Sequence, residues 1–275
     1  MSLKNAKCYE IEERNYNDGL LSPEVDATYI LYLEGSPRYD DINKQLEEFH
    51  PTNNVFIVHN QGFKKCDKQL EESNSMYDLI DAYIYALNHS KKHNYENILI
   101  LEDDFIFDTK IKEHKHIEII KNFLNKNKNR NVTYLLGCIP YIQIPLGDYS
   151  LVLKSIGAHA VIYNKNTINK LLDNKDKLND WDIDISKYST KYMHSVPLCY
   201  QLITETENSR IWCNKKKYIN KYKCNSAKSM YKTLNLDKST KSYMFFYNFS
   251  KLIYYLFVIV CIITILFILY LKINA

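Results

Sequence analysis

The sequence predicts an α/β fold followed by a C-terminal helix that crosses a membrane. In the first half of the chain, apolar strand-like runs alternate with amphipathic helical segments. The run at 97–101 (NILIL) is apolar throughout, as is typical of a parallel strand buried on both faces. Residues 252–271 form a run of 20 residues without a charge, which is long enough to span the hydrocarbon core of a bilayer. A helix buried in the core is the alternative for this run.

Runs rich in β-branched and aromatic residues, bounded by turn residues, predict the strands 27–34, 54–59, 97–101, 132–136, 151–153 and 155–163. Apolar residues at helical spacing predict the helices 40–49, 75–93, 112–126, 166–173, 184–192 and 197–205. The strand–helix–strand order over the first half favours right-handed crossovers and a parallel sheet. The strand carboxyl ends of such a sheet are where ligands bind.

Charge and hydropathy divide the chain into a polar leader (1–26), an α/β domain (27–210), a basic neck (211–251) and the apolar span (252–271). The neck holds ten Lys and one Asp, whereas the residues before it have a net negative charge. Because the neck runs directly into the apolar span, anionic lipid head groups are a simpler partner for it than nucleic acid. A solvated Lys-rich linker is the alternative. We also expect that deleting residues 244–275 leaves a soluble body.

The same charge pattern predicts the membrane topology. The N-terminus has no apolar run of the kind found in signal peptides, and the basic neck predicts that the body lies on the cytosolic side of a single-pass, C-terminally anchored protein. The seven cysteines are odd in number and form no CxxC motif, so we expect free thiols in this compartment. The sequons at Asn88, Asn131 and Asn248 are then expected to remain unglycosylated.

Three adjacent carboxylates, Glu102, Asp103 and Asp104, follow the apolar strand 97–101 directly. Adjacent carboxylates repel one another unless a cation or solvent compensates them. In an extended segment, Glu102 and Asp104 point to the same face and could hold Mn²⁺ or Mg²⁺ with the help of substrate phosphates. Such a metal neutralises the charge that develops on a diphosphate leaving group. A solvated acidic loop is the alternative.

Five segments in order resemble glycosyltransferase family 25, the lipopolysaccharide- and collagen-type galactosyl- and glucosyltransferases of GT-A fold, and most resemble its divergent members in large DNA viruses. The matching segments are YILYLEGSPRYDDI, ENILILEDDFIF, SIGAHAVIYNKNTINKLL, DWDIDISKY and PLCYQL. They cover roughly residues 27 to 210. The family's Ile-Asn-Leu opening and His-Ala-Tyr triplet are replaced by Leu31-Tyr32-Leu33 and His159-Ala160-Val161, so contacts of that Asn and Tyr are not carried over.

The resemblance implies a metal-dependent transfer from a nucleotide-diphosphate sugar. Asp104 would bind the metal, with Glu102 as a second metal ligand, and Glu102 or Asp103 would orient the ribose or a metal-bound water. In an inverting transfer, a base takes the proton from the acceptor hydroxyl. Asp184 is the first candidate for this base and Asp182 the second, although Asp184 could instead cap a helix.

Three further residues are expected to contact the donor. His159 lies in the SIGAHAVIY segment, where the small neighbouring residues allow a ligand to approach closely; a core histidine is the alternative. Gln201 can donate and accept hydrogen bonds to sugar or nucleotide hydroxyls, although it could be an ordinary surface residue. Arg38 could pair with the diphosphate, and the alternative is an exposed cation in a turn.

The resulting hypothesis is a membrane-anchored hexosyltransferase that uses a UDP-sugar and acts on a glycan or protein hydroxyl, with no role for nucleic acid. A metal-dependent phosphohydrolase or nuclease could use the same acidic strand end, but it would need further acidic residues for a second metal. A non-catalytic membrane tether with a transferase-like fold is the third possibility.

Overall fold

The computed structural model describes residues 3–202, 229 and 232–274, and it has a mixed α/β architecture around a central sheet. The strands are β1 (Tyr9–Asn15), β2 (Ala27–Leu33), β3 (Asn54–Asn60), β4 (Asn97–Glu102), β5 (Phe105–Phe107), β6 (Val132–Leu135), β7 (Ile139–Pro145), β8 (Tyr149–Ile156), β9 (Ala160–Asn164), β10 (Thr190–His194) and β11 (Cys199–Gln201). The α-helices are α1 (Leu3–Ala6), α2 (Tyr39–Glu48), α3 (Ser75–Lys92), α4 (His114–Asn127), α5 (Lys165–Asp173), α6 (Trp181–Tyr188) and α7 (Thr240–Ile273). Short 3₁₀ helices cover Thr109–Lys112 and Lys175–Lys177. The predicted α/β class is confirmed.

Nine strands form one sheet in the order β1-β3-β2-β4-β9-β6-β10-β8-β7. Strands β3, β2 and β4 are parallel neighbours, and β6 and β10 form a second parallel pair. Strand β9 runs antiparallel between β4 and β6, while β5 and β11 pair antiparallel in a separate two-stranded sheet. The carboxyl ends of β2 and β4 therefore lie at the same edge of the sheet, where the carboxylates follow β4.

Helices cover both faces of the sheet. Successive residues of a strand point to opposite faces, so each face has its own hydrophobic core. On one face, Tyr29 of β2 packs in a core with side chains of α3, α5, α6 and α7. On the other face, Ile30 packs with α2 and α4. Strand β4 is buried on both faces from Ile98 to Leu101, as its apolar sequence predicts.

Three predicted elements are wrong. The strand 155–163 is broken at Gly157, which has a φ of +82°, so β8 and β9 are separate strands. The helix 184–192 begins earlier and ends at Tyr188, and the residues after it form β10. The helix 197–205 is wrong because residues 199–201 form β11, which pairs with β5; residues 203–205 lie outside the described part of the chain.

The leader and the neck contribute to the folded body. Strand β1, within the predicted leader, pairs antiparallel with β3 at one end of the sheet. Helix α7 begins inside the predicted neck and continues through the apolar span, and its length and composition suffice to cross a membrane. Most of the remaining neck, residues 211–228, 230 and 231, lies outside the described residues.

The first three turns of α7 are packed against the body. The Gln143 side chain on β7 donates hydrogen bonds to the carbonyl of Tyr247 (2.8 Å) and to the hydroxyl of Ser250 (2.5 Å). Tyr247 is completely buried and Ser250 nearly so. The structure therefore argues against the expectation that residues 244–275 can be deleted without harm, because that deletion removes side chains from the core.

The cysteine prediction is also corrected. Cys8 and Cys66 form a disulfide across 58 residues of sequence. Cys138 and Cys199 are buried free thiols, and Cys261 is a free thiol in the apolar part of α7. Cys213 and Cys224 lie outside the described residues. Spacing along the sequence could not reveal the pair, because tertiary folding brings Cys8 next to Cys66.

Candidate active site

The carboxylates lie at the carboxyl end of β4, as predicted. Glu102 is the last residue of β4, and its amide donates to the carbonyl of His159 (3.0 Å). Asp103 and Asp104 form the turn into β5, and the Leu202 amide donates to the Asp104 carbonyl (2.8 Å). The small β5/β11 sheet thus brings a segment almost one hundred residues away in sequence against the acidic turn.

Arg38 and Gln201 both contact the acidic turn. The Arg38 guanidinium forms an ion pair with the Asp103 carboxylate and lies 3.4 Å from Oδ2 of Asp104. Nε2 of Gln201 donates to the same Oδ2 of Asp104 at 2.8 Å. Burial opposes the charge on Arg38, but the carboxylates of Asp103 and Asp104 raise its pKa. Arg38 and Gln201, which are distant in sequence and were both predicted for the site, therefore each contact Asp104.

The Glu102 side chain is hydrogen-bonded to α3. Its Oε1 accepts a hydrogen bond from the Tyr83 hydroxyl of α3 (2.8 Å). Burial raises the pKa of Glu102 well above its ordinary value, and the carboxylates of Asp104 and Asp182 raise it further, against the effect of the Tyr83 hydrogen bond. The carboxylates of Glu102, Asp104 and Asp182 therefore form a cluster of negative charge, which a bound cation would compensate.

Asp104 has one side-chain oxygen that the described part of the chain leaves without a partner. The residue is buried, and within residues 3–202 and 232–274 no group forms a hydrogen bond with its Oδ1. Burial raises the pKa of Asp104 to about 7, against the opposing effects of Arg38 and Gln201. Buried carboxylate oxygens are normally satisfied, so this free oxygen fits a cation that binds with the substrate. The described residues contain no group of three His, Cys, Asp or Glu side chains arranged to hold a metal ion by themselves.

His159 is buried next to the acidic turn. Neither of its ring nitrogens has a partner with good hydrogen-bond geometry among the described residues, and its ring lies edge-on to Tyr243 of α7 with 6.3 Å between centroids. Burial lowers the pKa of His159 to about 4, against an opposing effect of the nearby Cys199 carbonyl, so the imidazole is neutral at pH 7. Buried ring nitrogens are normally satisfied, so His159 differs from an ordinary core histidine, and its role in a pocket stays a prediction.

Gly137 shows how tightly this region is packed. A Cβ at Gly137 would lie 1.9 Å from the Cys199 carbonyl oxygen and 3.1 Å from Nε2 of His159. The close approach of Gly137 to β11 therefore requires glycine. This contact holds β11, and with it Gln201, against the site.

Asp182 lies on the Glu102 side of the site. Its Oδ2 accepts a hydrogen bond from the Gly157 amide (3.3 Å), and its carboxylate contributes to the raised pKa of Glu102. Asp182 also lines a small cavity together with Gly157 and the buried Lys191. Burial raises the pKa of Asp182, against the Gly157 amide, which makes its carboxylate a better proton acceptor.

Asp184 is occupied by structural contacts. Its Oδ2 accepts from the amides of Asn179 (2.6 Å) and Asp180 (3.1 Å), and its Oδ1 pairs with Lys187 at 2.6 Å. These partners lower the pKa of Asp184 although burial opposes them. The N-cap of α6 is Asp180, whose side chain accepts from the Ile183 amide. Asp184 thus stabilises the start of α6 without being its N-cap.

Two tyrosines at the site, Tyr83 and Tyr243, were not predicted as site residues from the sequence. The Tyr83 hydroxyl of α3 contacts Glu102. Trp181 stacks on Tyr83 with 4.1 Å between ring centroids and donates to the Tyr163 hydroxyl (2.9 Å), so it supports Tyr83 from the core. Tyr243 of α7 accepts a hydrogen bond from the Gln201 amide (3.3 Å). No local pattern marks a tyrosine whose hydroxyl reaches a site.

No protein-family profile matches the chain, and no curated protein matches its sequence. Among solved structures, the chain is similar to a glycosyltransferase involved in the glycosylation of the major capsid of PBCV-1 (10% identity, TM-score 0.39, 67% of this chain and 98% of that one). It is also similar to A197 from STIV (12% identity, TM-score 0.38, 65% of this chain and 85% of that one). A third similar structure is mannose-1-phosphate geranyltransferase from Thermus thermophilus (11% identity, TM-score 0.38, 62% of this chain and 73% of that one). Likenesses this distant assign no function to the chain.

Proposed function

We propose that this protein is a membrane-bound glycosyltransferase of GT-A type, which transfers a hexose from a nucleotide-diphosphate sugar to a hydroxyl of a glycan or protein. The observation that carries the proposal is the buried Oδ1 of Asp104, at the carboxyl end of a central parallel strand, which has no hydrogen-bond partner among the described residues. A diphosphate with its divalent cation matches both the place and the charge of this atom.

Asp104 would hold Mn²⁺ or Mg²⁺, together with Glu102 or Asp103 and the phosphates of the donor. The cation would neutralise the leaving diphosphate. Arg38, which is paired with Asp103 in the structure, would also donate a hydrogen bond to a phosphate oxygen of the donor. His159 and Gln201 would orient the nucleotide or sugar through hydrogen bonds, His159 using ring nitrogens that have no partner in the described part of the chain.

We assign the base of an inverting transfer to Asp182 and place Asp184 second. Asp182 shares the acidic cluster with Glu102 and has a pKa raised by burial, as a proton acceptor requires. Its carboxylate would take the proton of the acceptor hydroxyl while that oxygen bonds to the anomeric carbon and the diphosphate departs. Asp184 already accepts two amide hydrogen bonds and one ion pair.

A non-catalytic tether is the second candidate, and one observation favours it. The Arg38 guanidinium already compensates Asp103 and lies close to Asp104, so an ion pair could have replaced the metal. No specific observation in the described residues favours the phosphohydrolase or nuclease.

A donor screen tests the proposal. The full chain in detergent is incubated with a panel of nucleotide sugars and Mn²⁺, and release of free nucleotide is measured. We expect one donor, a UDP-hexose, to release nucleotide only with the cation. If no donor is turned over and none raises the melting temperature in the presence of Mn²⁺, the tether is the correct function.

The membrane side of the body is the remaining part of the proposal. The basic neck favours the cytosolic side, whereas the Cys8–Cys66 disulfide is typical of an oxidising compartment. We retain the cytosolic placement and expect Asn88 and Asn131 to be unglycosylated. A mass shift removed by N-glycosidase would place the body on the other side.

A further inference from the structure

The hairpin of β7 and β8 presents an unusual concentration of exposed apolar side chains. Outside α7, six large hydrophobic side chains of the described residues are exposed, and four of them lie on this hairpin. These four are Tyr141, Ile142, Leu146 and Leu153. Monomeric soluble proteins rarely group such side chains without a partner.

The hairpin is joined to the helix that continues into the apolar span. Strand β7 is the edge strand of the sheet, and α7 packs along it through the bonds from Gln143 to Tyr247 and Ser250. Phe245 and Phe249, on the exposed side of the same turns of α7, stack on each other with 5.9 Å between centroids. Exposed apolar groups thus occur on both packed elements, α7 and the hairpin.

The tip of the hairpin lies near the point where the apolar span begins. Lys251, the residue before the span, donates to the Ser195 carbonyl (3.3 Å), and the Ser195 amide donates to the Asp148 carbonyl (3.0 Å). Asp148 and Gly147 form the turn of the hairpin, and Leu146 next to them is 49% exposed. Two hydrogen bonds therefore connect the start of the span to the tip.

We propose that the β7–β8 hairpin is a second membrane contact, resting on the bilayer surface beside the point where α7 enters it. The inference rests on the proposed membrane span of α7. Leu146 reaches the boundary between head groups and acyl chains, where apolar side chains are favoured, while the carboxylate of Asp148 keeps the turn at head-group level. The partner is a lipid surface, because the exposed apolar side chains lie next to an apolar helix of membrane-spanning length.

Fluorescence of an environment-sensitive NBD label tests this contact in the full chain, reconstituted in phosphatidylcholine vesicles containing phosphatidylserine. Single labels are placed on Leu146→Cys and, at the far end of the fold, on the exposed Lys44→Cys of α2, in a background of Cys213→Ser, Cys224→Ser and Cys261→Ser. Labelling of native Cys261, with only Cys213 and Cys224 replaced, reports on the span. The buried Cys138 and Cys199 and the disulfide are left unchanged.

We expect the label at residue 146 to emit at shorter wavelength than the label at residue 44 and to lose fluorescence with a nitroxide on the lipid head group. The label at Cys261 should respond to a nitroxide deep in the acyl chains. If Cys261 responds but residue 146 behaves like residue 44, the hairpin contact is refuted while the span stands. If Cys261 does not respond either, the span and the hairpin contact both fail. Neither result bears on transferase chemistry, which the donor screen measures.

Discussion

Nε2 of Gln201 donates a hydrogen bond to Oδ2 of Asp104 across 97 residues of sequence, at 2.8 Å. The other oxygen of this carboxylate has no hydrogen-bond partner in the residues that the structure describes. One side of Asp104 is thereby fixed by the protein while the other remains available, which is the arrangement expected of a residue that binds a ligand during turnover.

Replacing Asp104 by Asn should abolish turnover and the rise in melting temperature caused by Mn²⁺ with donor, while the protein remains folded. An amide is a poor ligand for a hard cation, so bound metal no longer stabilises the native state. Melting curves with and without Mn²⁺ and UDP-sugar measure this effect. Asp173→Asn, an exposed change at the end of α5, is the matched control and should behave like the wild type. Near-normal turnover by Asp104→Asn would show that the metal assignment is wrong.

The pair Asp182→Asn and Asp184→Asn separates proton transfer from structural support. A general base contributes typically 10²–10⁴-fold to rate, so Asp182→Asn should lower kcat by about this factor with little change in melting temperature. Asp184→Asn should keep most of the rate and lose stability, on the order of 1 kcal/mol, because its ion pair with Lys187 is lost. Transfer rates and melting temperatures are measured for both variants. Wild-type rates in both would leave the base outside this pair.

The Cys8–Cys66 disulfide predicts a cross-linked peptide pair in a non-reducing digest of the purified protein. Cys66→Ser should lower stability by about 2–4 kcal/mol, because the cross-link restricts the unfolded chain. Cys261→Ser, which removes a free thiol in the apolar part of α7, is the control and should not change the melting temperature of the body. Recovery of free, alkylated Cys8 in protein isolated with a thiol-blocking reagent would contradict the disulfide.

The buried His194 predicts a loss of stability in acid. Its ring nitrogens bond to Tyr134 (2.7 Å) and His116 (2.8 Å), and burial together with His116 lowers its pKa from 6.5 to about 3. Between these two pKa values the unfolded chain binds a proton that the folded chain does not, so stability falls as the pH decreases below 6.5. From pH 7 to pH 5 the loss from this residue should be about 2 kcal/mol.

His194→Gln should therefore be less stable than the wild type at pH 7 but lose less on acidification to pH 5. The exposed His114→Gln serves as the control and should keep the wild-type pH dependence. Melting temperatures at both pH values in detergent measure the difference. An unchanged acid loss in His194→Gln would mean that other groups cause it.

Truncation distinguishes the packed turns of α7 from its apolar span. A chain of residues 1–251 keeps Tyr247 and Ser250, so it should be soluble and melt cooperatively, whereas a chain of residues 1–243 loses both buried side chains. Loss of a buried aromatic side chain costs about 3–5 kcal/mol, so the shorter chain should melt at lower temperature or aggregate. The full chain should sediment with membranes and resist carbonate extraction. Equal stability of the two truncated chains would contradict the packing of α7.

Periodicity predicted the elements whose environment is uniform along their length. Helix α3 has a continuous apolar stripe and β4 is apolar on both faces. The hydrophobic pattern of their sequences therefore predicts which of their residues are buried. Strand β11 could not be predicted in this way. It is only three residues long, and it is a strand because Tyr200 pairs with Ile106 of β5, a partner far away in sequence.

The same distinction holds for the site. The adjacent carboxylates after an apolar strand predicted where the acidic cluster would lie, and the structure places them there. The choice between Asp182 and Asp184 depends on a tertiary contact of Asp182 with the Gly157 amide and on a local ion pair of Asp184 with Lys187, one turn further along the same helix. Two aspartates within one helical turn look alike until the surrounding segments are known.

The packed start of α7 also determines how the proposed transferase would reach its acceptors. Tyr243 lies beside His159, and the apolar span begins nine residues later, a distance of about 14 Å along the helix at ~1.5 Å per residue. Hydrogen bonds with Gln143 and Ser195 fix the start of α7 to the body, so α7 is not a flexible linker between the body and the span. The proposed active site would therefore lie at a constant distance from the bilayer. The protein would diffuse in the plane of the membrane and meet acceptors that present their hydroxyls at that distance.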